Sequence, residues 1–396
     1  MSPDQLGPLV AWPVMLLAAW LFGEWAFRRW RVPRVCAYGA VGLALAALGL
    51  LHSAASPAPL NFIANVALSL TLFELGYRVN PRWLRHNPWL LVAGIGQAVL
   101  TFAAVFWVSG AFQVTINQRL VLAALCVATS PAAIMRVTHE LNSSGQVTER
   151  LLHLCALNCL IAVLLLKGVV GYWHLETSGE IGTAAFNSLY VIGLSLVVGA
   201  AFGFVAPLLN RLATGSQGTT VTFAFLVLLL TGVAQSLHLS ALLAALAFGV
   251  LARERRIMLS HAQRNFGALG DVLAVYLFVY IGSLLPAASL FTGLAAGLVF
   301  GAAVLAARTT THILVNASIA RVSGTTFRKG ALTGLALMPL SAFALLLLEE
   351  SRLYGFDLAR DSLPFIVGLL VLLDLVGPWL TQRALLWAGE AEPAER

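Results

Sequence analysis

Long uncharged apolar segments follow one another along almost the whole chain. Between Arg211 and Arg253, for example, no Asp, Glu, Lys or Arg occurs. A helix needs about 20 mostly apolar residues to cross a bilayer. The sequence is 59% hydrophobic and 10% charged, with a mean hydropathy of +0.87. These properties predict an all-α polytopic membrane protein and exclude a soluble globular protein of this length.

Charges and Pro/Gly clusters divide the chain into about 13 predicted transmembrane helices. No soluble domain of useful size remains, so we expect a single transmembrane domain over residues 1–396 that ends in a short cytoplasmic tail, 389–396. We expect two inverted repeats, at about 7–173 and about 220–388, joined by a linker helix at about 186–208.

The basic residues predict how these helices are oriented. With the N-terminus outside, most of the 24 Lys and Arg fall in cytoplasmic segments, as the positive-inside rule requires. The first apolar run has no basic region before it, which argues against a cleaved signal peptide. We therefore expect a multi-pass protein of the inner (plasma) membrane with a cytoplasmic C-terminus. The net charge of +7 follows from this topology and does not indicate nucleic acid as a partner.

Proline interrupts two of the predicted helices. The residues at the breaks are Thr129, Ser130 and Pro131 in the fifth span, and Met338, Pro339 and Ser341 in the twelfth. Proline removes a backbone donor and clashes with the preceding turn. Non-helical backbone survives in a bilayer only where protein or a water-filled cavity satisfies its polar groups. Because the two spans enter from opposite sides, we expect two broken helices that cross near mid-membrane and offer their ends to a bound ion.

Charged side chains inside the other predicted helices indicate a polar site. Burying Arg308 near mid-membrane costs about 3 kcal/mol on insertion scales, so it should face protein or water and have a partner. The candidate partners are Asp374, the carbonyls at the helix breaks, and Ser130. A purely structural pair of Arg308 with Asp374 and a role in solute binding both remain open.

The four cysteines lie in or at the edge of predicted helices, so we expect no disulfide framework. Cys155 and Cys159 share a helix face with Asn158. Cys126 could approach them where the fifth and sixth spans cross, and three thiolates would suit a soft metal. Because cysteine is also an ordinary small apolar residue in membrane helices, we predict neither a metal nor a cofactor.

Other polar residues have simpler explanations. Glu74 could pair with Arg78 at i+4, or could act in solute entry. Lys167 is about half a revolution from Asn158 and should extend toward the outer interface. The glycosylation sequons at Asn142 and Asn316 we interpret as chance.

Several of these segments resemble motifs of the monovalent cation:proton antiporter superfamily, especially its sodium/proton and potassium-efflux-like branches. The stretches are LTLFELGYRVNPRWLRH, ATSPAAIMRVTHELNSSGQVTERLLHLCALNC, KGALTGLALMPLSAFALLLLEE and LVGPWLTQRALLWAGE. The resemblance covers nearly the whole chain. It implies a core domain, a dimerisation domain, an elevator-like movement and a homodimer. Many such relatives carry a cytosolic regulatory domain, which here would have to be a separate subunit.

The sequence departs from this superfamily at the site itself. Where the superfamily has Asn-Asp or Asp-Asp, with the last aspartate binding cation and proton in turn, this chain reads Asn158-Cys159. Where some branches read TDP, it reads TSP. Antiport of this kind needs a carboxylate for which proton and cation compete. A thiol, with an ordinary pKa of about 8.5, is a poor substitute at pH 7.

Three functions fit these observations. The first, which we predict, is secondary active antiport of a monovalent cation (Na⁺ or K⁺) and protons, with the proton-carrying group moved to Asp374 or Glu74. The second is transport of another solute such as an anion, because Arg308 without the aspartate makes the site net positive. The third is a transport-inactive sensing or scaffold module. An enzyme is not predicted, because no nucleophile, base and stabilising group can be assembled. The predicted ion- or substrate-binding residues are Thr129, Ser130, Asn158, Cys159, Arg308 and Asp374.

Overall fold

The computed structural model describes residues 3–48, 57–178, 181–211, 215–255, 266–284, 294–340, 344 and 363–391. Within these residues every regular element is an α-helix. The helices are α1 (Pro3–Trp30), α2 (Arg34–Ala47), α3 (Pro57–Arg78), α4 (Pro81–His86), α5 (Pro88–Ala111), α6 (Ile116–Val127), α7 (Pro131–Glu140), α8 (Gln146–Ser178), α9 (Ile181–Asn210), α10 (Gly215–Ser236), α11 (Ala241–Glu254), α12 (Gly267–Ser283), α13 (Leu294–Ala320), α14 (Phe327–Ala336) and α15 (Leu363–Ala388).

Nine helical stretches of the described chain are long and apolar enough to cross a membrane. One of them, Ile116–Glu140, consists of α6 and α7 taken together. Helix α2 and most of α12 form shorter apolar helices. The prediction of an all-α, multi-pass membrane protein is confirmed, while the count of thirteen transmembrane helices stays a prediction.

The helices pack in two groups. We call α5 to α8 with α13 to α15 the break bundle, and α1 to α3 with α9 to α12 the flanking bundle. Helix α7 of the break bundle contacts α2 and α3, and α15 contacts α2. Helix α8 also contacts α3 and α9, so the two bundles meet along α7, α8 and α15.

Small and aromatic residues bring α3 and α11 together at the centre of the flanking bundle. A Cβ added to Gly249 of α11 would lie 2.8 Å from the Tyr77 nitrogen of α3, so only glycine allows this approach. Close backbone contact through small residues is common between membrane helices. The ring of Phe73 lies 4.6 Å from that of Phe248 and 5.3 Å from that of Phe223.

The first break follows from local sequence. Helix α6 ends at Val127, and α7 begins at Pro131. Proline suits the first helical position because the N–H that it lacks has no partner there. The Ser130 hydroxyl caps α7 by accepting from the Ala133 N–H at 3.4 Å. The same proline that prevents α6 from continuing thus starts the next helix.

Candidate transport site

The two interrupted helices meet at their breaks. Residues 128–130, between α6 and α7, and residues 337–340, after α14, are not helical. The Ser130 N–H donates to the Pro339 carbonyl at 2.7 Å. Pro131, Met338 and Pro339 are all buried, and Ser341 lies outside the described residues. Each break therefore satisfies a backbone group of the other, as membrane depth requires.

Arg308 of α13 connects both breaks. Its side chain is completely buried, with 0% exposure. The guanidinium Nη2 donates to the carbonyl of Ala128 at 3.1 Å and to that of Leu337 at 3.3 Å. Carbonyls at helix ends lack intrahelical partners, which makes them available to such a donor. Of the partners considered from the sequence, Arg308 contacts the helix-break carbonyls.

Asp374 of α15 belongs to a different contact. Its carboxylate lies beside Gly39 of α2, in a narrow groove that Leu43 and Ile281 also line. The ion pairs within the described residues do not join it to Arg308. The geometry places Asp374 where α15 meets α2 of the flanking bundle.

A row of neutral amides links α8 to the first break and to α13. The Asn158 Nδ2 donates to the Thr129 hydroxyl at 2.8 Å, and its Oδ1 accepts from Gln97 Nε2 at 2.8 Å. The Gln97 Oε1 accepts in turn from Asn316 Nδ2 at 2.7 Å. All four side chains are buried. Asn158 and Gln97 each donate and accept, and Asn316 donates to Gln97 and to the His312 carbonyl, so hydrogen bonds hold this polar row in the bundle without a charge.

Cys159 lies at the same break. Its thiol donates to the Thr129 carbonyl at 3.2 Å, and the Cys155 thiol reaches the same oxygen at 3.9 Å. Cys126 is also buried and unoxidised. The structure thus brings Thr129, Asn158 and Cys159 together, and the position at which the resemblance expects an aspartate carries a thiol against the break.

Gln97 and Asn316 were missed by sequence reasoning. Gln97 carries the only amide side chain of α5, and Asn316 was set aside as part of a chance sequon. Both are buried members of the amide row. A lone amide in an apolar membrane helix is the signal that could have found them. Lys167, expected to extend toward the outer interface, is 6% exposed, and its position relative to that interface stays a prediction.

The far end of α7 is densely charged, and Glu74 of α3 lies beside it. The Glu74 carboxylate is 2.8 Å from His139 Nε2 and 3.2 Å from Arg78 Nη2. Arg78 Nη2 is also 2.7 Å from the same imidazole nitrogen. The pairing of Glu74 with Arg78 predicted from their i,i+4 spacing is confirmed.

Two further ionic contacts join the charged end of α7 to the flanking bundle. Arg136 pairs with Asp271 of α12. Glu140 lies 3.6 Å from Arg34 of α2 and 3.8 Å from Arg136. Together with Glu74 and His139, these pairs connect α7 to three helices of the flanking bundle.

A small cavity of about 50 Å³ lies between α3, α7 and α12. Thr71, Glu74, Ala132, His139 and Asp271 are among its lining residues. Ala132 belongs to the first turn of α7, directly after the break. The cavity therefore extends along α7 from the break to the charged end.

Comparisons with known proteins agree with this architecture. The sequence model of the family described as "Sodium/hydrogen exchanger, transmembrane" matches residues 14–387. No curated protein matches the chain. Among solved structures, the fold is similar to that of the sodium proton antiporter MjNhaP1 from Methanocaldococcus jannaschii at pH 8, with a TM-score of 0.71, 14% sequence identity and coverage of 98% of each chain. The resemblance inferred from the sequence motifs is confirmed, and this chain belongs to the sodium/hydrogen exchanger family of membrane transporters.

Proposed function

We propose that this protein exchanges a monovalent cation, Na⁺ or K⁺, for protons, and that Glu74 carries the charge for which the two ligands compete. The Glu74 carboxylate is 6% exposed and lines the cavity that runs along α7 to the first break. Exchange needs one group that either ligand can neutralise. Cys159 offers a thiol in place of that carboxylate, whereas Glu74 offers the carboxylate at a position that small ions can reach.

A shared proton gives Glu74 the chemistry that this role needs. Its oxygen and the His139 Nε2 are 2.8 Å apart, a hydrogen-bond distance that requires one proton between them. Arg78 Nη2 lies 2.7 Å from the same nitrogen and 3.2 Å from the carboxylate, so the three side chains meet beside the cavity. A cation that enters the cavity would take the place of the proton at Glu74, and the proton would leave with the imidazole as its acceptor.

Asp374 is the other carboxylate considered from the sequence. Its groove has a free volume of about 10 Å³ and is lined mostly by apolar side chains. A cation must exchange its hydration shell for oxygen ligands, and this groove has few of them. These properties favour Glu74 as the exchanging group.

Ion flux into proteoliposomes tests the proposal. Proton movement driven by a Na⁺ or K⁺ gradient would be followed with a pH-sensitive dye. We expect the wild type to exchange at least one of the two cations, and Glu74→Gln to slow exchange by about tenfold or more. The matched control is Glu24→Gln, which also removes a carboxylate from an arginine pair, at 2.6 Å from Arg34, but lies away from the cavity. Its exchange rate should match the wild type.

Two results would contradict the proposal. A wild type that moves protons with neither cation, whether it transports an anion or nothing, would refute cation exchange. Full exchange by Glu74→Gln together with loss of exchange in Asp374→Asn would assign the proton to Asp374.

We further infer the cellular setting and the large-scale movement. The distribution of basic residues supports an inner (plasma) membrane protein with the N-terminus outside and the C-terminus in the cytoplasm. The family resemblance supports a homodimer, possible control by a separate regulatory subunit, and one domain of two inverted repeats, about 7–173 and 220–388. In this arrangement the break bundle would move against the flanking bundle to alternate access.

A further inference from the structure

Arg308 is a buried cation without a carboxylate partner among the described residues. Its Nη2 binds two carbonyls, but its Nε and Nη1 have no hydrogen-bond partner in that part of the chain. The ion pairs of the described residues do not include it. A charge taken out of water needs a counter-charge, and each of its donors needs an acceptor. Backbone carbonyls supply partial charge only, so the guanidinium remains one unit positive.

Another nitrogen without a partner on the described residues, His312 Nδ1, lies one helical turn further along α13. His312 is 1% exposed, and its Nδ1 has no partner within the described chain. Side chains at i and i+4 are neighbours on a helix surface. An imidazole nitrogen that carries its proton is a donor, as are both unpaired guanidinium nitrogens. Arg308 therefore presents two buried donors with no acceptor on the described residues, and the neighbouring His312 adds a nitrogen that donates when it carries the ring proton.

We propose that Arg308 and His312 bind a small monovalent anion, with chloride as the simplest example, inside the break bundle. One negative charge neutralises one guanidinium, and a neutral imidazole adds a hydrogen bond without adding charge. The anion must be small because α13 and α14 are in backbone contact here: a Cβ on Gly334 would lie 2.7 Å from the Ile313 nitrogen. The bound anion supplies the negative charge that a carboxylate at position 159 would otherwise contribute to this bundle.

This inference is independent of the role proposed for Glu74. The anion site lies at the crossing of the breaks, while Glu74 lines the cavity beside α7. An anion that stays bound during cation exchange neutralises the positive charge of Arg308 and thereby stabilises the crossing of the breaks. A ligand bound only by the folded state raises the unfolding temperature as its concentration rises.

Thermal unfolding of the full-length protein in detergent tests the site. Sodium chloride would replace sodium gluconate at constant ionic strength, and unfolding would be followed by the fluorescence of the 10 tryptophans. We expect the unfolding temperature of the wild type to rise with chloride and then to saturate. In Arg308→Met this chloride-dependent rise should disappear.

Arg150→Met is the matched control. Arg150 is also a buried arginine, but both of its terminal nitrogens donate to Ser323. Its removal should leave the chloride-dependent rise in unfolding temperature intact. A rise that disappears equally in Arg150→Met would reflect general destabilisation and would overturn the assignment to Arg308.

Direct binding of radioactive chloride keeps the proposal testable if Arg308→Met does not fold. We expect saturable binding of one chloride per wild-type chain. His312→Leu should weaken this binding by about tenfold, because one donor is lost. Absence of saturable binding to the wild type, or unchanged affinity in His312→Leu, would overturn the proposal.

Discussion

The two ends of α7 differ sharply in charge although the helix has only 10 residues. At its first turn the neighbours are amides, thiols and carbonyls, and Arg308 is the charge that contacts the break. Toward its other end Arg136 and Glu140 form ion pairs with the flanking bundle, and His139 Nε2 lies 2.8 Å from the Glu74 carboxylate. Neutral hydrogen bonds do not change with pH, whereas carboxylate and imidazole pairs do. Under the proposed function, we therefore expect ligand-dependent changes to arise where the bundles touch and to leave the crossing of the breaks intact.

In the proposed mechanism, the charged end also couples ion binding to movement of the bundles. Each of its pairs joins the break bundle to α2, α3 or α12 of the flanking bundle. A proton or cation at Glu74 alters one of these pairs and thereby alters the contact between the bundles. Switching transitions in proteins commonly repack such interface pairs.

The largest effect is expected from placing a carboxylate beside the first turn of α7, where the neighbouring groups are neutral. Cys159→Asp would do so at the position of the family aspartate, next to the Thr129 carbonyl. In proteoliposomes, we expect the double variant Glu74→Gln/Cys159→Asp to exchange cations at least about ten times faster than the single variant Glu74→Gln. Cys155→Asp, one turn earlier, is the control and should not restore exchange. A double variant as slow as Glu74→Gln would show that position 159 cannot take over the role.

Removing one amide of the neutral row tests how much this row contributes to the stability of the protein. Asn158→Leu removes the acceptor of the buried Gln97 Nε2 group and the donor to the buried Thr129 hydroxyl. At about 1–3 kcal/mol for each buried unpaired group, the free energy of unfolding should fall by about 2–6 kcal/mol. Reversible denaturant unfolding in detergent measures this loss. Thr231→Val, whose hydroxyl bonds only to a carbonyl of its own helix, should lose less than about 1 kcal/mol. Equal losses of unfolding free energy in both variants would show that the amide row stabilises the protein no more than an ordinary hydroxyl-to-carbonyl hydrogen bond within a helix.

The smallest effect is expected at a charged helix end. The Glu390 carboxylate accepts from the N–H groups of Val147 at 2.9 Å and Thr148 at 2.8 Å, and so caps α8. Glu390→Ala should lower the free energy of unfolding by about 1–2 kcal/mol, as for other lost N-caps. Lys329→Met removes only the half-exposed partner of Glu390 at 3.6 Å and should cost less than about 1 kcal/mol. A larger loss in Lys329→Met would mean that the ion pair outweighs the cap.

Much of the fold and part of the site were predictable from local sequence. Apolar segments predicted membrane helices, and Pro131 indicated where the fifth span is interrupted. The cost of a buried charge indicated that Arg308 faces protein. The partner of Arg308 was not predictable, because Asp374 and the break carbonyls were equally acceptable in chemical terms. Gln97 was missed for a related reason: its acceptor and donor lie 61 and 219 residues away, on α8 and α13.

The sequence by itself determined that this chain crosses a membrane repeatedly, that proline interrupts two of its spans, and that Cys159 is a thiol where the family resemblance leads us to expect an acid. These are properties of single residues and short segments, and the bilayer acts on them directly. Only the tertiary structure decided which polar groups meet: Arg308 with the carbonyls of both breaks, Asn158 with Gln97, and Glu74 with His139. Such contacts join helices that are distant in sequence, so they depend on how whole helices pack and cannot be inferred from spacing along the chain.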